Sequence, residues 1–174
     1  KPPVNYNGYV RGRDHGGLAG PSYDWGAHDV PKQTDEYTVE YVNNVMATHP
    51  KYEPLFLAAG IFRPHLPFWA PSKTFARYPF DKLQMVPMPE GDLDDVPPIG
   101  IKMAHTERFI WDNATKKPET HPGSLKKMVQ SYQAASDYAD EMVGRLLDQL
   151  DKTGRSKNTI IVLWADHGYH LGDK

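Results

Sequence analysis

The clearest hydrophobic pattern in the chain is a helical stripe near its C-terminal end. Apolar residues recur there at intervals of three and four, and charged residues occupy the other faces. The stripe consists of Met128, Tyr132, Ala135, Ala139, Met142, Val143, Leu146, Leu147 and Leu150. Pro122-Gly123-Ser124 suits the start of such a helix, and Gly154 suits its C-cap. The pattern therefore predicts one long amphipathic helix between these signals.

A second, shorter helix is predicted nearer the N-terminus. Thr34 or Asp35 can cap it, and apolar residues then follow at helical spacing to about Ala47. His49-Pro50 should end it, because the residue before a proline avoids the helical region. Residues 1–31 show no period of 3.6 or 2 and are predicted to form loop.

Two short apolar runs have the length of buried strands, residues 54–60 and residues 158–164. Between the first run and the long helix, residues 61–122 alternate proline-containing turns with isolated aromatic residues. A connection of this length inside a compact domain is usually functional. The predicted order of elements is helix, strand, long proline-rich connection, helix and strand. This order is expected of an α/β fold, in which helices pack on a sheet.

Composition narrows the functional classes. The 174 residues carry a formal net charge of −2, which does not favour a nucleic-acid surface. No apolar run approaches the roughly 20 residues that a membrane span needs. The absence of cysteine rules out internal disulfides and cysteine nucleophiles within these residues. No secretory signal is visible at the start of the chain, and composition does not fix the compartment.

The most informative motif is Asp166-His167-Gly168, directly after the second apolar run. Sites in open α/β sheets form beyond the carboxyl ends of strands. Asp166 can give a hard oxygen, and His167 a nitrogen, to a divalent cation. Gly168 would let the backbone turn sharply. The alternative is an Asp-His pair that caps the following turn.

A second candidate, Arg63-Pro64-His65, follows the first apolar run. Prolines on both sides of His65 should hold the backbone extended and aim the imidazole. Such a histidine can donate to an anionic oxygen or act as a general acid, and Arg63 can bind an anionic substrate. The alternative is a proline-stiffened surface loop with an incidental histidine. Histidines at both predicted strand ends favour the functional interpretation.

Taken together, residues 56–68, 78–82 and 158–172 resemble type I, formylglycine-dependent sulfatases. The nearest branch is the iduronate-2-sulfatase-like group of the alkaline phosphatase superfamily. Residues 23–26, 29–31, 94–97 and 143–148 also fit that branch, so the resemblance covers nearly the whole chain.

The resemblance implies an alkaline phosphatase-like mixed sheet flanked by helices, incomplete in this chain. It implies that Asp166 and His167 are calcium ligands and that His65 contacts the sulfate or protonates the leaving oxygen, with Arg63 as a further substrate-binding candidate. Many sulfatases carry Asn where His167 stands, and a nitrogen ligand suits zinc or manganese better than calcium.

Parts of the family's machinery are absent from residues 1–174. The nucleophile, a formylglycine made within a C/S-x-P-x-R motif, has no counterpart, and neither do the N-terminal aspartates that complete the metal site. Lys174 falls too early for the lysine expected beyond the metal motif. Residues 1–174 are therefore expected to be the central part of a single catalytic domain that does not turn over alone.

The activity implied by the resemblance is hydrolysis of sulfate esters, with a sulfated glycan or sulfated small molecule as substrate. The resemblance also implies a periplasmic, secreted or lysosomal location. Two alternatives stay open. One is a phosphate or phosphonate ester hydrolase of the same superfamily, and the other is a non-catalytic carbohydrate-binding relative that kept the scaffold.

Overall fold

The computed structural model describes residues 25–104 and 124–172. Two short parallel strands, β1 (Trp25–Ala27) and β2 (Phe68–Ala70), pair with Trp25 opposite Phe68 and Ala27 opposite Ala70. The helices are α1 (Thr34–Thr48), α2 (Ser72–Phe75), α3 (Pro98–Ala104) and α4 (Ser124–Lys152). Short 3-10 helices occupy Phe80–Lys82 and Ser156–Asn158. The described part is therefore a set of helices around a small parallel sheet.

The core forms where α4 crosses α1 and both strands. One buried cluster contains Val39, Ala70, Ala134, Tyr138 and Met142. A second cluster joins the last turns of the two long helices and contains Val42, Met46 and Leu150. The expected stripe on α4 is thus correct in outline, but Leu147, which it included, is 40% exposed.

Both long helices begin and end close to the predicted positions. Gln33 precedes α1, and its backbone N–H donates to Oε2 of Glu36 at 2.8 Å, as in a capping box. His49 is the C-cap of α1, as the following proline predicted. At the end of α4, Gly154 has a φ of +69°, a conformation that favours glycine.

The prediction of strands in the two apolar runs is wrong for the described structure. Residues 54–60 and 159–164 form neither helix nor strand, and no described segment pairs with them. Phe56 is 96% exposed and Ile160 is 93% exposed. The physical reason is that a strand needs a neighbouring strand for its backbone hydrogen bonds, and a run of apolar side chains does not supply one.

The other predicted segments are partly testable. Loop was expected through residue 31, but residues 25–27 form β1, and residues 1–24 lie outside the described residues. The proline-rich connection contains β2, α2 and α3, while residues 105–123 are likewise outside, as are Asp173 and Lys174. Among the described helices, none has the length and apolarity to cross a membrane.

Candidate functional site

His65 lies in a tight turn between residue 62 and β2. Its backbone N–H donates to the carbonyl of Phe62 at 3.0 Å, and the two rings lie 4.7 Å apart. The peptide bonds Arg63–Pro64 and Leu66–Pro67 are both cis. The expectation of an extended backbone here is therefore wrong, because the turn is closed by its own hydrogen bond.

The imidazole of His65 is held by one nitrogen. Nδ1 lies 2.7 Å from the carbonyl oxygen of Leu66, and a carbonyl can only accept. Nδ1 therefore carries a proton in this contact, and Nε2 remains for a second partner. The side chain is exposed, so a substrate can reach Nε2 from solvent.

The start of this turn is anchored to α1. Asp35, in the first turn of α1, is 3% exposed, and its two carboxylate oxygens accept the backbone N–H groups of Phe62 and Arg63 at 2.8 Å and 3.2 Å. The sequence suggested Asp35 only as a helix cap. No local signal could have found its actual partners, which lie 27 and 28 residues further along the chain.

Arg63 is buried inside the turn. Its Nε donates to the carbonyl of Trp69 in β2 at 2.8 Å, and the residue is 9% exposed. Burial lowers the pKa of the guanidinium, and the nearby carboxylate of Asp35 opposes that shift. Arg63 thus braces the turn, and its contact with substrate stays a prediction.

His28 is a neighbour of this turn that the sequence did not single out. Its ring stacks on Trp69 with the centroids 4.3 Å apart. Burial lowers the pKa of His28, the positive charge of Arg63 lowers it further, and Asp29 opposes the shift. The lowered pKa favours the neutral imidazole, and the ring of His28 extends the aromatic surface beside the turn.

The second candidate pair, Asp166 and His167, is exposed. Oδ1 of Asp166 accepts the backbone N–H of His167 at 2.9 Å, and Oδ2 lies 3.6 Å from Nε2 of His167. The side chains are 87% and 70% exposed. The backbone bond is of the kind expected from the turn-capping alternative, while the second carboxylate oxygen lies beside the imidazole on the exposed surface.

The expected role of Gly168 is not found. Its φ is not positive, and a Cβ at this position would meet only the hydroxyl of Tyr132, at an ordinary 3.6 Å. The turn at this point therefore does not require glycine.

An aromatic cluster brings the two candidate segments together. Phe68, three residues after His65, lies edge-on to Tyr132 of α4 and to Tyr169, with centroid separations of 5.3 Å and 5.2 Å. Tyr132 and Tyr169 are 5.8 Å apart. Because Tyr169 follows the Asp166-His167 pair by two residues, this cluster connects the pair to the turn of His65.

The two segments do not form a complete metal centre by themselves. Across residues 25–104 and 124–172, no three acidic, histidine or cysteine side chains come together as a ligand group. Asp166 and His167 still fit a divalent cation in kind. They offer a carboxylate oxygen and an imidazole nitrogen at a separation that neighbouring ligands can adopt around one ion.

Comparison with known proteins identifies the family. The sulfatase family profile matches residues 3–174, so the chain belongs to the sulfatase family, within the alkaline phosphatase superfamily. The resemblance noted from the sequence is therefore confirmed. No solved structure is significantly similar to the chain.

Three curated relatives illustrate the range of similarity. A "Sulfatase" of Formosa agariphila is 38% identical over 157 residues, which are 87% of this chain and 29% of that protein. The human "Iduronate 2-sulfatase" is 31% identical over 83% of this chain and 28% of its own length. The "Multifunctional alkaline phosphatase superfamily protein PehA" of Trinickia caryophylli is 26% identical over 85% of this chain and 32% of its own length. The chain thus spans about three tenths of the length of these relatives.

Proposed function

We propose that the chain is the central part of the catalytic domain of a sulfuric ester hydrolase that acts on sulfated carbohydrates. The observation that carries the proposal is the aromatic cluster of Phe68, Tyr132 and Tyr169, which joins the turn of His65 to the Asp166-His167 pair. Membership of the sulfatase family supports the reaction class. The similarity to the human iduronate 2-sulfatase supports a sulfated sugar as substrate.

Asp166 and His167 are the residues of this chain that would hold a divalent cation, for which we propose calcium. When bound, the cation supplies positive charge that neutralises the oxygens of a sulfate ester. The remaining ligands and the formylglycine nucleophile belong, in this proposal, to segments outside the 174 residues. Both side chains already face solvent, which leaves room for those segments to approach.

His65 provides the proton that the leaving alcohol needs. Its Nδ1–H donates to the carbonyl of Leu66, which fixes the plane of the ring. In the imidazolium form, Nε2–H can be donated to a sulfate oxygen or to the oxygen that leaves. Arg63 contributes by holding the turn, through its contact with Trp69, and as a weaker candidate for substrate contact.

A second candidate is hydrolysis of phosphate or phosphonate esters. Two observations favour it: the candidate nitrogen ligand of His167, which suits zinc or manganese better than calcium, and the similarity to a multifunctional member of the superfamily. The two candidates share the same metal ligands in this chain and differ in the nucleophile.

The test uses the complete polypeptide, that is, this chain with the flanking segments that the proposal requires. It should hydrolyse 4-nitrophenyl sulfate faster than 4-nitrophenyl phosphate in the presence of calcium. Replacement His65→Ala should lower kcat by about a hundredfold or more, which is the usual contribution of a general acid. Replacement Asp166→Asn should weaken calcium binding, as measured by calorimetry.

Matched controls separate chemistry from folding. The variant Asp148→Asn changes an exposed carboxylate of α4 and should leave calcium binding and turnover unchanged. Preference for the phosphate ester would favour the second candidate. Hydrolysis of neither aryl ester, and of no sulfated disaccharide, would favour a non-catalytic relative. The isolated 174-residue chain should not hydrolyse the sulfate ester, so turnover by that chain alone would contradict the proposed division of the active site.

A further inference from the structure

We propose that Asp35 is a positioning residue that acts on the reaction through His65. The inference rests on the proposed function, because it takes His65 to be the group that meets the sulfate or the leaving oxygen. Nothing in the sequence pattern beyond a helix-capping role pointed to Asp35.

Both carboxylate oxygens of Asp35 accept hydrogen bonds from the backbone at the start of the turn. Oδ1 accepts the N–H of Phe62 at 2.8 Å and Oδ2 accepts the N–H of Arg63 at 3.2 Å. The residue is 3% exposed, so water does not compete for these bonds. Hydrogen bonds to an ionised acceptor in such surroundings are stronger than neutral ones.

Asp35 is linked to the backbone of His65 through a single residue, Phe62. The N–H of Phe62 donates to Asp35, while the carbonyl of Phe62 accepts the N–H of His65 at 3.0 Å. A shift of residue 62 therefore moves the backbone of His65 directly. The other end of the turn is held separately, by the bond from Nε of Arg63 to the carbonyl of Trp69.

Asp35 lies on a helix, α1, that is fixed by its contacts with α4. The next residue, Glu36, pairs with Arg145 of α4 at 3.1 Å, and Val39, Val42 and Met46 bury the same helix against α4. The carboxylate thus connects the packed helices to the turn. Its negative charge also offsets the buried guanidinium of Arg63.

The replacement Asp35→Asn tests this role in the complete polypeptide. An amide keeps the shape but has only one oxygen, so its NH₂ group must face one of the two N–H donors. The turn should then shift, and displacement of a catalytic group by about 1 Å can cost about a hundredfold in rate. We expect kcat for aryl sulfates to fall by about 10- to 100-fold. KM should change by less than about threefold, because substrate contacts outside the turn remain.

Three further measurements distinguish positioning from general damage. The loss should be larger for an alkyl sulfate than for 4-nitrophenyl sulfate, because the poorer leaving group depends more on a proton from His65. The double variant Asp35→Asn/His65→Ala should be no slower than His65→Ala alone. The control Asp29→Asn removes a carboxylate that also accepts a backbone N–H, from Ser72 at 2.8 Å, but lies off the turn, and it should retain activity.

The possible outcomes decide between the claims. If the unmodified polypeptide does not hydrolyse sulfate esters, the proposed function fails before Asp35 is tested. If it does, and Asp35→Asn is fully active or adds its loss to that of His65→Ala, the positioning role is wrong. Should Asp35→Asn not fold, Asp35→Glu keeps the charge while moving the acceptor, and a folded Asp35→Glu should show the same fall in kcat. Failure of both variants to fold would assign Asp35 to folding and overturn the inference.

Discussion

Tyr169 should hold the Asp166-His167 pair in place, and replacing it with alanine should release that segment. Tyr169 makes two edge-on ring contacts, at 5.2 Å to Phe68 and at 5.8 Å to Tyr132. Such a contact contributes about 0.5–1.5 kcal/mol beyond the area that it buries. The ring is 37% exposed, and its two partners also contact each other, so the two contributions should not simply add. We therefore expect Tyr169→Ala to lower the local stability by about 1–2 kcal/mol.

The assay is amide hydrogen exchange of residues 165–172 in the complete polypeptide. A loss of about 1–2 kcal/mol corresponds to a local opening equilibrium about 5- to 30-fold more favourable. Exchange of these amides should accelerate by that factor in Tyr169→Ala, and kcat/KM for a sulfate ester should fall. The variant Tyr169→Phe keeps the ring and should stay within about threefold of the parent.

The control is Tyr41→Ala, which removes an aromatic ring of α1 that is 69% exposed. It should leave exchange at residues 165–172 unchanged. Unchanged exchange in Tyr169→Ala would refute the reasoning, because the aromatic contacts would then not hold the segment. Equal damage from Tyr169→Phe and Tyr169→Ala would refute it too, since the hydroxyl and not the ring would then be responsible.

Two further predictions concern α4, and urea denaturation measures both. Met142 is fully buried between α1 and the sheet, so Met142→Ala should lower the free energy of unfolding by about 2–5 kcal/mol. Leu147 is 40% exposed, so Leu147→Ala should lower it far less. Equal losses of stability in the two variants would contradict the assignment of Met142 to the core. Burial alone would raise the pKa of Glu141, but hydrogen bonds from Lys73 and Arg145 leave it below its ordinary value of 4.5. A lowered folded-state pKa stabilises the protein above the unfolded-state value and ceases to do so as pH falls through the folded-state value. Glu141→Gln should therefore be less stable at pH 7, and the difference should shrink as pH falls through the folded-state pKa of Glu141, which lies below 4.5. A difference independent of pH would contradict the assignment.

The long helices could be predicted because their signals are local. Spacing of apolar residues, a proline after His49 and a glycine at 154 each act within a few residues. The structure accordingly begins and ends both helices close to the predicted positions. Leu147 shows the limit of this reasoning, because the width of the buried face depends on what packs against the helix.

Sheet structure was predicted poorly because pairing is not a local property. The two apolar runs predicted strands, but no described segment pairs with them through backbone hydrogen bonds. The strands that do form, β1 and β2, have three residues each and are too short to show a period. Asp35 follows the same rule: a carboxylate in the first turn of a helix resembles a cap, and its actual partner lies 27 residues further along the chain.

The two sides of the Asp166-His167 pair are held very differently, and this decides how the candidate metal site behaves. On the C-terminal side, Tyr169 is fixed by the aromatic cluster, two residues from His167. On the N-terminal side, Trp164 is 75% exposed and no described strand pairs with its segment. The aromatic cluster therefore constrains the pair on its C-terminal side. In Tyr169→Ala, loss of the aromatic contacts should appear first as faster exchange around residues 165–172 and only then as weaker cation binding, because the two candidate ligands, Asp166 and His167, are themselves unchanged.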